Sequence, residues 1–307
     1  MEEQYAAHLS DYTTWNQLDH AEDHVVFPEN IGEYLTIDET SLSQGELYTV
    51  VTNKAAKGNK GCLVAIIKGT DSERFKSILI RNIALEKRQL VKEVTLDMAA
   101  SMEQIVTKTF TKATLVTDRF HVQKLAYDAV QQMRIEYRWE ALDQENKEIE
   151  LSKELNKAFI PNRLENGDTP KQLLARSRYL LFKRKELWSP SQVLRAEILF
   201  RLYPKLEQAY DLTQKLGHIY QTVKDKGVAF TKLARWYNDV EQAGFKSFNT
   251  VSRTIQQHYL TILNYFERRS TNAAAESFNA KIKAFRSQFR GVRNVSFFLY
   301  RLSKIYA

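Results

Sequence analysis

A single cysteine, Cys62, stands in 307 residues. That excludes a disulfide framework and any cysteine-rich zinc centre, and it fits a reducing compartment. Set in "GCLVAIIKG", Cys62 reads as a small core residue. No apolar run is long enough to span a bilayer. The start, "MEEQYAAHLSDYTTWNQLDH", is acidic and polar and is no secretory signal, so a cytoplasmic protein is expected. Internal repeats and low-complexity tracts are also absent. The sharpest shortage is of negative charge near the C-terminus. From Arg268 to Lys304 there are nine basic residues and one carboxylate, Glu276.

What is present describes a folded, soluble chain. With 43% hydrophobic and 27% charged residues it can bury a substantial core, as one large domain or two smaller ones. A net charge of +8 favours a polyanionic partner such as nucleic acid.

Two regimes follow one another. From about residue 33 to 118 the pattern predicts strands at "EYLTID" (33–38), "ELYTVVTN" (46–53), "GCLVAIIKG" (61–69), "VKEVTLD" (91–97) and "ATLVTD" (113–118). Helical segments, "SERFKSILIRNIAL" and "MAASMEQIVTKTF", separate the later ones. A hairpin followed by alternating strands and helices predicts a mixed sheet with helices packed on it. From residue 119 onward the periodicity is helical. One long amphipathic run ends at the breaker-rich "FIPNRLENGDTP", and further helices are predicted at 171–187, 190–223, 228–243 and 249–268. Trp139, Trp188 and Trp236 occupy helical positions and read as core.

Asp38 and Asp97 close two of the predicted strands. An aspartate there is often a turn residue or a helix N-cap, and Asp97 before "MAASMEQ" fits that role. As a pair on neighbouring strands they could also hold hard divalent cations, which prefer carboxylate, water and phosphate oxygens. Glu276 is the candidate for a third carboxylate. Its i−4 and i+4 neighbours are Asn272 and Ala280, so the usual helical ion pair is missing. Lys281, Lys283, Arg286, Arg290 and Arg293 follow it and suit a nucleic-acid backbone. Asp118 and His121, spaced D-x-x-H at a strand-to-helix junction, suit mutual bracing at least as well as direct chemistry.

Taken in order, "LTIDETSL", "VTLDMAASM", "LVTDRFHVQKL", "NAAAESFNAKIKAFR" and "RGVRNVSFFLYRLSK" resemble the catalytic region of bacterial insertion-sequence transposases of the D-D-E type. The resemblance is to the ISL-three family, in particular its ISAon-type branch, and covers residues 11–307. It implies an α/β fold: a ribonuclease-H-like mixed sheet with helices on both faces, interrupted by a large all-helical insertion. The implied parts are an N-terminal linker or arm (1–30), a first part of the core (31–121), the helical insertion (122–265) and a returning part of the core (266–307). Asp38, Asp97 and Glu276 match the family's three catalytic, metal-holding acids, with Asp118 the rival for the second; Asp97 is preferred because the fourth strand of such a core lies beside the first. Asp118 and His121 match the family's D-x-x-H motif.

The resemblance further implies cleavage at insertion-sequence ends and strand transfer into target DNA, with two Mg²⁺ or Mn²⁺ ions. Its partners would be transposon-end and target DNA, and a homodimer or larger assembly on DNA in a bacterial nucleoid. The family's N-terminal DNA-binding region has no counterpart here; it is either encoded separately, as a partner protein, or lost. A catalytically silent DNA-binding regulator and a ribonuclease-H-like nuclease are the alternative readings.

Overall fold

The computed structural model describes residues 2–43, 45–288 and 291–307 and falls into two compact units. The first unit comprises residues 1–118 and 260–307, the second residues 119–259.

Among the described residues the first unit is built on six strands: β1 (His24–Val26), β2 (Tyr34–Ser43), β3 (Glu46–Asn53), β4 (Leu63–Lys68), β5 (Glu93–Leu96) and β6 (Thr114–Thr117). Their order is β1-β4-β3-β2-β5-β6. β2, β3 and β4 pair antiparallel, whereas β2, β5 and β6 are mutually parallel. The fourth strand of the core, β5, thus lies beside the first, β2, in a ribonuclease-H-like sheet. β1, too short at three residues to leave an alternating signature, adds an edge strand to β4.

Helices cover both faces of this sheet. α1 is Glu2–His8, α2 Ser72–Asn82, α3 Leu85–Gln89 and α4 Ala100–Thr109. Phe75, Ile78 and Leu79 of α2 and Met102, Ile105 and Val106 of α4 pack with Leu35, Ile37, Val94 and Leu96 from one face. The opposite face of β2 to β4 packs Tyr48, Val50 and Ile66, with Cys62 beside them, against two C-terminal helices through Phe278, Ile282, Phe298, Leu299 and Leu302.

The second unit is all helical: α5 (Arg119–Glu154), α6 (Pro170–Arg176), α7 (Pro190–Leu202), α8 (Pro204–Thr222), α9 (Lys226–Ala243) and α10 (Lys246–Gln257). α5 packs against α6, α8 and α10, and α8 against α9. Three helices read as continuous in the sequence are broken, the first at Arg176, where α6 ends and short 3-10 turns follow. Pro204 starts α8 afresh at its first position, where its missing N–H costs nothing. His258 leaves the helical region between α10 and α11 (Tyr259–Arg268). Trp236 is core as expected, its Nε1 donating to the Leu212 carbonyl at 2.8 Å. Trp139 is not: it is 61% exposed, because the buried stripe of α5 ends at Arg134. Trp188 is half-buried. No helix among the described residues is long and apolar enough to cross a membrane.

The chain returns to the first unit through α11, α12 (Ala273–Gln288) and α13 (Val295–Tyr306). Residues 2–30 belong to that unit as well. Tyr12 and Trp15 meet α13 edge-on, at 5.0 Å from Phe297 and 5.4 Å from Tyr300. Lys304, 2.5 Å away, and the Tyr300 hydroxyl hold the Asp11 carboxyl down at about 2, from its usual 3.8. A carboxyl depressed in the folded state stabilises it above the ordinary value and loses that contribution as pH falls through the depressed one. The tether is therefore expected to be intact at neutral pH and to release between about pH 4 and pH 2, read as a change in near-ultraviolet tyrosine dichroism that the Asp11→Asn variant lacks.

Candidate active site

Asp38 lies inside β2, which runs on to Ser43, and not at its end as the sequence implies. The extra residues pair only with β3; the parallel ladder to β5 stops at Thr36–Thr95. On that register, two residues further, Asp38 stands opposite Asp97, the residue after β5. The β5–β6 ladder pairs Leu96 with Thr117, so Asp97 in turn stands opposite Asp118, whose N–H donates to the Leu96 carbonyl at 2.9 Å. Three aspartates thus form one row across the carboxyl ends of the parallel ladders, spaced by about 4.8 Å per strand. Ligands gather at this edge of an open α/β sheet.

Each aspartate is held differently. Asp38 Oδ1 accepts the Glu39 N–H at 2.8 Å and Oδ2 accepts from Asn279 Nδ2 at 2.7 Å. Asp97 Oδ1 accepts the Ala99 N–H at 2.8 Å, the turn-forming bond of an aspartate ahead of a helix. Asp118 is only 1% exposed, and its Oδ1 accepts the Asn272 N–H at 3.4 Å. His121 is half-buried near the start of α5, in the other unit.

α12 crosses this row. Asn272, just before the helix, is at Asp118, and Asn279 is at Asp38. Seven residues of helix advance about 10.5 Å, close to the roughly 9.6 Å of two strand spacings. Glu276, at four of those seven steps, therefore comes level with Asp97. Positions 272, 276 and 279 share one helix face. Glu276 itself is exposed, in the first turn of α12, where the helix dipole favours a carboxylate.

The electrostatics register the neighbouring aspartates. Burial first, then Asp97 and Asp38, push the Glu39 carboxyl above its usual range. Beneath the row, Lys54 Nζ donates to Glu93 Oε1 at 3.0 Å and to the Thr95 hydroxyl. Burial drives the Lys54 amine down, and Glu93 and Asp118 pull it back up.

Carboxylate oxygens at this edge fit the donor preference of Mg²⁺ or Mn²⁺. So does the amide of Asn272, 1% exposed, neither of whose polar atoms finds a partner among the described residues. Among those residues, no three histidine, cysteine or acidic side chains are already gathered into a metal-holding group.

Of the predicted basic residues, Lys281 donates to the Gly58 carbonyl at 2.6 Å and Arg286 to the Ser41 carbonyl at 3.2 Å. Gly58 has a φ of +74°, and a Cβ there would stand 3.3 Å from the Lys281 ammonium. Lys283 and Arg293 are exposed, and Arg290 lies outside the described residues. Sequence reasoning missed Asn279, Asn272, Glu39 and Lys54. Only two carried a signal: Asn279 follows Glu276 by one helical turn, and Glu39 adjoins Asp38.

Comparison with known proteins identifies a family. The sequence profile of a transposase family, the ISL3-type DDE transposases, matches residues 35–302. The chain is also 22% identical over 274 residues to the transposase for insertion sequence element IS1001 of Bordetella parapertussis. That alignment covers 88% of this chain and 60% of the relative, so the chain spans less than two thirds of the relative's length. No solved structure matches. The profile runs from β2 into α13 and takes in the aspartate row together with the helix that crosses it; the chain belongs to the ISL3-type transposase family.

Proposed function

We propose that this chain is the catalytic unit of a DNA transposase. It would cleave phosphodiester bonds at insertion-sequence ends and join the freed 3′ ends to target DNA. What supports the reading is the β2–β5 register, which carried two residues further sets Asp38 opposite Asp97, and the bonds of Asn272 and Asn279 that hold α12, the helix of Glu276, against that edge.

Asp38, Asp97 and Glu276 would hold two Mg²⁺ or Mn²⁺ ions. When bound, such ions neutralise charge on the attacking and leaving oxygens and make the attacking hydroxyl more acidic. The protein's own contribution is orientation. Asp38 is fixed through both oxygens, by the Glu39 N–H and by Asn279. Asp97 is fixed through one, leaving the other for a ligand. Asp118 serves as an anchor for the start of α12 rather than as the second acid, since it is buried and already accepts the Asn272 N–H. Lys283 and Arg293, both exposed, would contact backbone phosphates, with Lys281 and Arg286 adding positive field. Transposon-end DNA, target DNA, a second protomer and a separately encoded DNA-binding protein are the partners this activity would use.

A strand-joining assay with Mg²⁺, labelled element ends and a plasmid target tests the proposal. The expected result is nicked ends and joined products. Cleavage without joining would make the chain a nuclease; band shifts with neither product would make it a silent DNA-binding relative.

A further inference from the structure

Asn279 contacts the two parts of the site that are most distant in sequence. Its side-chain nitrogen lies 2.7 Å from Asp38 Oδ2 and 3.5 Å from the Glu39 carbonyl oxygen, so one amide group addresses both residues of the strand. The side chain is buried, and the contact spans 241 residues of sequence. Asn279 also sits three residues beyond Glu276, one turn along the same helix face. Whatever fixes Asn279 on β2 therefore fixes the height and rotation of Glu276 above the aspartate row. Lys281 and Arg286 also tie α12 to the first unit, but to the backbone at Gly58 and Ser41, away from the row. The second tie to the row is at the other end, from the Asn272 N–H to Asp118.

We infer that Asn279 is a positioning residue: its amide locks the helix carrying Glu276 to the strand carrying Asp38 and sets the orientation of the Asp38 carboxylate. This rests on the catalytic reading proposed above. The chemistry is specific to a carboxamide. The –NH₂ group can donate one hydrogen to the carboxylate and direct the other toward the carbonyl, and it brings no charge to a site already crowded with acids. An aliphatic side chain of the same volume keeps the packing and loses both contacts.

The test uses the full chain with Asn279→Leu and Asn279→Ala beside Asp38→Asn. Three quantities are measured: melting in the absence of metal, Mn²⁺ affinity by paramagnetic resonance, and single-turnover cleavage with its DNA-concentration dependence. For Asn279→Leu the expected outcome is a metal-free melting midpoint within about 4 °C of the parent, the scale of one lost hydrogen bond. Mn²⁺ affinity should fall about tenfold and the cleavage rate about a hundredfold, as for a misplacement near 1 Å, while half-saturation by DNA stays put. Parent-like Mn²⁺ affinity and cleavage in both Asn279 variants, with Asp38→Asn inactive, would overturn the inference and leave the catalytic reading standing. Failure of both variants to fold would also overturn it, making Asn279 a packing residue. If Asp38→Asn itself bound Mn²⁺ and cleaved like the parent, the catalytic reading would fall instead.

Discussion

Asp38→Asn is expected to reduce strand cleavage by at least about a thousandfold, the scale seen when one member of a cooperating catalytic set is removed. Fold and end-DNA binding should be retained. The replacement is isosteric, and the introduced carboxamide oxygen can still accept the Glu39 N–H where Asp38 Oδ1 does now. Its –NH₂ group would face the amide of Asn279, donor against donor, and a half-turn of the Asn279 amide resolves the clash. What cannot be restored is the negative charge. The change should be legible at Glu39, whose carboxyl is pushed up by burial, then by Asp97 and Asp38. Removing the Asp38 charge should lower it toward the ordinary range, measurable by NMR as a carboxyl titration that moves to lower pH. Asp97→Asn should match Asp38→Asn in activity, whereas Asp118→Asn should act more through stability. Cleavage at a normal rate by Asp38→Asn would remove the catalytic assignment altogether.

Lys54→Ala should be the most damaging single change to the stability of the first unit. Side-chain exposures of 16% for Lys54 and 7% for Glu93 place their 3.0 Å ion pair well out of water. Removing one partner of such a pair strands the other charge, at a cost of about 3–5 kcal/mol. Lys54→Met with Glu93→Leu, which removes both charges and keeps volume, should recover most of that loss. Urea unfolding of Lys54→Met, Glu93→Leu and the double variant closes the cycle. A single-variant cost under about 1 kcal/mol would mean that water reaches the pair, as it does at surface bridges.

How much of this was legible in the sequence depended on the range of the interaction. β3 begins and ends where the sequence places it, because an apolar β-branched run bounded by turn residues is a local signal. The start of α7 at Pro190 also falls where the sequence places it, and Ser189 caps it by accepting the Gln192 N–H. The extension of β2 beyond Asp38 was not legible. Thr40 and Ser41 are held in the strand by pairing with β3, a partner that residue pattern alone does not name. The aspartates announced themselves as acids after β-runs, but their common register follows only from the ladders. Lys54 was invisible for the same reason, and the partner of Asn279 was too: each acts on a group brought near by the fold, 39 and 241 residues away.

The division of the first unit into residues 1–118 and 260–307 also sets an order of events during synthesis. A ribosome adding about 5–20 residues per second needs roughly 7–30 s to make the intervening segment, residues 119–259. Throughout that time the nascent chain can carry the aspartates, but the glutamate and the asparagine that would sit over them do not yet exist. α10 packs on α5, so a helical unit that folds during this pause holds the late part of its chain against the early part. That shortens the loop to be closed when α12 emerges and lowers its entropic cost. On the proposed function, a product truncated before residue 276 would carry the sheet and its acidic edge without the glutamate, so cleavage would itself certify that translation has passed the insertion.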